Sequence, residues 1–301
     1  MSKKNTFAKK IHKTYKFMIL IADSGATTTD WCLLNTNLTV NKYIRTSGLN
    51  ANYLTETEID SVLSRELTPR LLYPILENIT HVFFYGSGCS TEKKQRKIQS
   101  QLSKITPNAA VIADHDLVGA AISLCGNDMG IACILGTGSN SCFYDGKNIK
   151  KTILSLGYLL GDEGSGTHIG KEILCAYLKN KMPQDVHHLF YSKYKKRPED
   201  MVAEMYAAPK VGTYFAQFSH FASENLNFSY IQNLVKKSFS DFMQEQVSQF
   251  EEASYLPLGF VGSIAYVFQQ ELKSVVREFG YTLGKIIQNP IEGLVEFHQK
   301  K

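Results

Sequence analysis

The sequence predicts an α/β protein with mixed sheets built in two successive rounds, and three observations carry that prediction. A meander of apolar strands opens the chain, strands and helices then alternate, and a second strand, glycine-rich turn and strand begins near residue 130. The first round reads as strands at 17–22 and 28–34, joined by Ser24-Gly25-Ala26, and a third strand running to Arg45 after the Asn35-Thr36-Asn37 turn. A polar loop "TSGLNANYL" follows, then a helix within 56–67, the strand "HVFFYG", a helix over 92–103, the strand "AAVIA" and a helix opening at Asp116.

The second round, "GIACILGTGSNSCFYDG", reuses the same device of apolar strand, small-residue turn bearing hydroxyls and returning strand, with Asp145-Gly146 as the next hairpin signal. This is a structural duplication without sequence repetition. Periodicity makes residues 165–250 mostly helical, "LPLGFVGSIA" is a strand entering a helix, and "NPIEGLVEFHQ" is a terminal helix with Pro290 in its first turn.

Composition narrows the function classes. At 301 residues, with 44% hydrophobic and 20% charged residues, the chain suits a soluble globular protein of two lobes. No apolar run is long enough to cross a bilayer, and the lysine-rich start lacks the apolar core of a secretory signal, so the expected location is the cytoplasm, away from any membrane. The six cysteines show no metal-type spacing and read as buried thiols. The net charge of +5 belongs to Lys3, Lys4, Lys9, Lys10, Lys13 and Lys16. The rest is close to neutral, so residues 1–16 form a basic tail, Met18 is a candidate start, and nucleic acid is not an expected partner.

Five stretches concentrate chemistry. In "DSGATTTDW", Gly25 permits positive φ, Ala26 is small enough for N–H groups to converge on an anion, and Thr27, Thr28 and Thr29 add hydroxyls. Asp23 there suits the water shell of a magnesium ion. An ordinary polar hairpin is the competing reading. The second turn repeats the arrangement with Gly136, Thr137 and Gly138, followed by Ser139 and Asn140. In "GFVGSIA", Gly262 and Ser263 stand where a strand enters a helix and a flat nucleoside can approach the backbone. "GYLLGDEGSGTHIGKE" places Asp162 and Glu163 among five glycines, as acceptors for sugar hydroxyls or as a helix cap. In "ADHDLVGAA", Asp116 stands at a helix N-terminus as a base for phosphoryl transfer or as an N-cap, and Asp114 is a second candidate.

In this order the five elements resemble the sugar kinase, heat-shock chaperone and actin superfamily. Within it they are similar to the N-acetylglucosamine kinase branch, grouped with the BadF/BadG/BcrA/BcrD-type ATPases; "ILGTGSNS", "LGDEGSG" and "NPIEGLVEFH" are the most specific pieces. The resemblance implies two actin-like, ribonuclease H-like lobes, 17–118 with 285–301 and 119–284, with a nucleotide cleft between them. It implies ATP and Mg2+ as cofactors, with Asp23 organising the metal, Gly25 to Thr28 and Gly136 to Gly138 on the phosphates, and Gly262 and Ser263 at the adenosine. The family's catalytic aspartate precedes a Gly-Ala or Ala-Gly pair, which selects Asp116 over Asp114, and its sugar contacts fall on Asn50, Ser139, Asn140, Asp162 and Glu163. The implied reaction is phosphorylation of an amino sugar, N-acetylglucosamine first, by a chain that relatives lead one to expect as a homodimer. Two rivals remain: an ATPase that activates a partner enzyme through a shared iron–sulfur cluster, for which Cys89 is the one suggestive cysteine, and a non-enzymatic sensor.

Overall fold

In the computed structural model, which describes residues 18–300, the chain forms two units. One runs to Gly126 and resumes at Pro290, and the other is Asn127–Asn289. The expected lysine tail at 1–16 lies outside the described residues.

The first unit is a five-stranded mixed sheet, ordered β3 (Val40–Ser47), β2 (Thr28–Leu34), β1 (Met18–Ser24), β4 (Ile79–Gly86) and β5 (Ala110–His115). Strands β1 to β3 form the antiparallel meander, while β4 and β5 run parallel to β1. Alternation along β1 sorts its residues between two faces. Met18, Leu20 and Ala22 join Trp31, Leu33, Val82 and Phe84 in one core, under the helices that follow β3 and β4. Trp31 is fully buried and satisfies its indole by donating to Thr46 Oγ1 at 2.9 Å.

The helix Glu56–Val62 starts from a complete capping box, Thr55 with Glu58. The expected helix over 56–67 is interrupted near its end: residues Leu63–Leu67 form a π-helical turn before an α-turn resumes at Thr68–Leu71. The opposite face of the sheet carries the helix Asp116–Cys125 and the terminal helix Ile291–Gln299. Gly119 allows the first of these to lie against β4, since a Cβ there would stand 2.7 Å from Tyr85 Cβ. Gly293 plays the same part where the terminal helix meets Ser123.

The second unit repeats the plan. Its sheet is ordered β10 (Leu283–Ile287), β9 (Leu258–Val261), β6 (Gly130–Leu135), β7 (Ser139–Tyr144) and β8 (Ile149–Thr152), so β6 to β10 take in turn the places of β1 to β5. The duplication expected from the two hairpins extends to strand order and direction. Strand β10 carries no sequence signal of its own, being a half-exposed edge strand with no buried alternation. The core is dominated by aromatic residues of the long helical insert, among them Phe190, Phe218, Phe221, Phe239 and Phe242, packed under Ile131, Cys133 and Leu135. Among the described residues no helix is long and apolar enough to cross a membrane.

Candidate functional site

In the first unit the parallel strands β1, β4 and β5 end together, because register pairs Ser24 with Gly86 and Gly86 with His115. Ligands of such sheets bind at the carboxyl ends of the strands. The β1–β2 turn is held there from behind. Gly25 N donates to Thr28 O and Gly48 N to Thr27 O, both at 2.9 Å, while Ser87 N donates to Ser24 O at 2.8 Å. The Ser24 and Thr29 hydroxyls pair at 2.8 Å inside the turn, and Leu49 N donates to Ser24 Oγ. The Ser24, Thr27 and Thr28 carbonyls are thereby engaged, whereas the Ala26 and Thr27 N–H groups find no acceptor among the described residues. Gly25, Ala26, Thr27 and Thr28 are exposed, so donors and hydroxyls face outward together.

Asp23 pairs in register with Tyr85, which packs against Gly119, so its carboxylate lies on the face of the Asp116–Cys125 helix. Burial, then the charges of Asp116 and Asp30, push its carboxyl up to about 8. Asp30 is Asp23's cross-strand partner and is held by Arg45 in a two-pronged pair at 2.6 and 3.1 Å.

The helix at Asp116 resolves one ambiguity of the sequence. Its cap is His115, whose Nδ1 accepts from Leu117 N at 3.2 Å. Asp116 is therefore free of the capping role. Its Oδ1 is buried without a hydrogen-bond partner, with His115 Nδ1 3.1 Å away. Burial pushes the Asp116 carboxyl up, opposed by the neighbouring His115 and by a hydrogen bond from the Leu117 backbone. Asp114 accepts from His115 N at 2.7 Å. A half-buried carboxylate with one oxygen lacking a hydrogen bond and Asp23 as an acidic neighbour is well suited to take a proton.

Asn50 is buried with its Oδ1 accepting from Asn52 N at 2.9 Å, while its Nδ2 donates to no described group. The loop after β4 presses on it: a Cβ at Gly88, where φ is +81°, would lie 2.5 Å from that Oδ1. Ser87 Oγ in the same loop is buried without a partner. Cys89 is buried, and its thiol is pushed up to about 12 by burial and by the charges of Asp116 and Asp114.

In the second unit Gly136, Thr137 and Gly138 form the β6–β7 turn, closed by Gly136 N donating to Gly138 O at 3.0 Å. The glycine-rich loop ties down its remaining carbonyls: Gly166 N donates to Gly136 O, and Thr167 donates to Thr137 O through both N and Oγ1. Here also the N–H groups of Thr137 and Gly138 find no acceptor among the described residues. Asp162 stands at φ +63° and accepts from Ser139 N at 3.1 Å, leaving no room for a Cβ at Gly138. Burial raises its carboxyl, opposed by that hydrogen bond and assisted by the charge of half-buried Glu163. Ser139 is buried and its hydroxyl accepts from Gln246 Nε2, whereas the half-buried Asn140 keeps its side-chain nitrogen unengaged among the described residues.

Ser165 caps the helix Gly166–Leu178, so neither Asp162 nor Glu163 does. Gly262, at φ +127°, lies against the same turn, since a Cβ there would stand 2.3 Å from Leu135 O. Ser263 follows it into a helix. The turn, the acidic loop and the Gly262-Ser263 corner are thus one cluster.

Several residues of these sites carry no recognisable motif. Ser47, Gly48 and Glu66 brace the first turn, and Ser238 bridges the glycine-rich loop by accepting from Gly164 N and pairing with His168 Nδ1 at 2.7 Å. Only position after a strand end, in the case of Gly48, offered a signal. Among the described residues no group of three or more His, Cys, Asp or Glu side chains is arranged to hold a metal. Asp23, with its like-charged neighbour Asp116, still fits magnesium, which needs only one or two carboxylates beside its waters.

No protein-family model matches the chain, and no curated protein does. Solved structures do. A Porphyromonas gingivalis protein provisionally named an N-acetylglucosamine kinase is 38% identical, with a TM-score of 0.89 over 94% of this chain and 99% of that one. A Chromobacterium violaceum protein of the same provisional name has 16% identity and a TM-score of 0.75, covering 93% and 98%. A glucokinase of the ROK family from Streptomyces griseus, solved with glucose and AMPPNP, matches at 10% identity and a TM-score of 0.52 over 92% and 97%. The last two likenesses establish the fold alone.

Proposed function

The chain belongs to the N-acetylglucosamine kinase branch of the sugar kinase and actin superfamily, and from that premise we propose that it transfers the γ-phosphoryl group of ATP to an amino sugar, N-acetylglucosamine giving its 6-phosphate. The observation that supports this reading most directly is the state of Asp116, which is relieved of helix capping by His115 and has an unbonded buried oxygen. Such a carboxylate takes the proton of the attacking sugar hydroxyl as the oxygen–phosphorus bond forms.

Outward N–H groups at Ala26 and Thr27, and at Thr137 and Gly138, donate to phosphate oxygens, with the Thr27 and Thr28 hydroxyls beside them. Because the carbonyls of the second turn, and those of Thr27 and Thr28 in the first, are already engaged, these donors need little reorganisation when the ligand arrives. Asp23, with Asp116 near it, would hold magnesium through the metal's waters, and the bound ion supplies neutralising charge at the phosphates. Gly262 and Ser263 receive the adenosine, while Asn50, Asn140 and Glu163 supply polar groups for the sugar. Asp162 and Ser139 act by holding the second turn, given their mutual hydrogen bond. The protein works in the cytoplasm, where ATP is available.

The test is a coupled ADP-release assay over a panel of amino sugars and glucose. Turnover that depends on the sugar and is fastest with N-acetylglucosamine supports the reading. Sugar-independent ATP hydrolysis, or none, overturns it.

A further inference from the structure

We infer that Glu66 is a positioning residue for the first phosphate turn: its carboxylate fixes Ser47 and, through Gly48, sets where Gly25 and Ala26 stand. The inference rests on the proposed role of that turn in binding nucleotide. Glu66 receives two hydrogen bonds from one residue, from Ser47 N to Oε2 and from Ser47 Oγ to Oε1, both at 2.8 Å. Charge-assisted pairs of this kind fix direction as well as distance.

The next residue is the brace. Gly48 N donates to Thr27 O at 2.9 Å, and a Cβ on Gly48 would lie 2.7 Å from Gly25 O and 2.8 Å from the Ala26 carbonyl carbon. The segment is also joined to the turn by Thr29 Oγ1 donating to Ser47 O and by Leu49 N donating to Ser24 Oγ. A displacement at Ser47 is therefore passed to Ala26 and Thr27 without slack.

The π-turn explains how the carboxylate comes to be there. Residues Leu63–Leu67 hold an extra residue within an otherwise α-helical run, and Leu63 and Leu67 are fully buried on either side of Glu66. Such insertions change the direction of side chains and recur at functional sites. The same run is fastened to β3 a second time, by the Arg70 guanidinium donating to Arg45 O. The strand end is thus gripped at two points, and only the Glu66 grip is adjacent to the turn.

The experiment compares wild type with E66A, E66Q and S47A in full-length protein, measuring KM for MgATP, KM for N-acetylglucosamine and kcat. E66A is expected to raise KM for ATP about tenfold, leaving kcat and the sugar's KM within about twofold. E66Q restores ATP affinity to within about threefold, because the amide oxygen still accepts from Ser47 N and the amide nitrogen can donate to Ser47 Oγ. S47A, which keeps the N–H bond and loses the hydroxyl, gives a rise of about threefold and decides the matter if E66A does not fold.

An unchanged KM for ATP in the folded variants, an equal change in both substrates' constants, or E66Q as impaired as E66A overturns the inference. If wild type turns over no sugar, the proposed function fails by itself. Titration of the same variants with Mg–AMPPNP then reads the inference independently: a Kd weakened most in E66A, less in S47A and largely restored in E66Q upholds it, and equal Kd values or no binding by wild type overturn it.

Discussion

The two turns share a topology and differ in what stands behind them. In the first unit the turn is exposed, borders a group of carboxylates and is propped mainly by the end of β3, with one bond from the loop after β4. In the second it is half-buried, borders the acidic loop and the Gly262 corner, and is netted by Gly166, Thr167, Asp162 and Gly262. In the proposed reading, one hairpin lies beside the proton-accepting carboxylate and the other serves as a fixed support. Duplication of a fold conserves strand order, while each copy's loops decide what its turn can do.

The largest expected effect tests whether chemistry belongs to the first unit alone. Asp116→Asn should lower kcat by at least about a hundredfold while Mg–AMPPNP still binds, read by turnover and calorimetry. A variant with near-normal kcat would break the contrast at its centre.

The next tests set the supports of the two turns against each other. Gly262→Ala forces a Cβ against Leu135 O at a φ of +127°, and should destabilise the protein by on the order of 3 kcal/mol in denaturant unfolding. Gly48→Ala crowds the first turn at ordinary φ, so it should act on ATP affinity more than on stability, raising KM about tenfold. Similar stability losses in both would mean that the first turn is as rigidly netted as the second.

The last test is electrostatic. Asp23 has its carboxyl raised to about 8, so its contribution favours the folded state most below pH 4, where the group is protonated folded and unfolded alike, and is lost progressively as pH rises through 8. With chelator present, the melting temperature of wild type should fall more steeply from pH 5 to 9 than that of Asp23→Asn. Equal slopes would remove the carboxylate group from the contrast.

The sequence made the hairpins legible because glycine, serine and threonine after an apolar strand have few structural uses. It left Asp116 ambiguous for a physical reason: Asp114, His115 and Asp116 are all polar at one strand end, and only backbone direction selects His115 as the cap. The Glu66 grip was invisible, since it depends on a π-turn that propensity does not mark and joins residues nineteen apart. Strand β10 escaped notice because an edge strand lacks the buried alternation that identifies central ones.

The terminal helix Ile291–Gln299 packs on β1, β2 and the Asp116–Cys125 helix, and Tyr85 meets His298 at 3.1 Å. The first-made half of the polypeptide consequently waits for the last-made residues before its sheet is covered on both sides. During synthesis that uncovered apolar surface persists while more than 160 intervening residues, Asn127–Asn289, emerge, which makes the nascent amino-terminal half a natural client for chaperones.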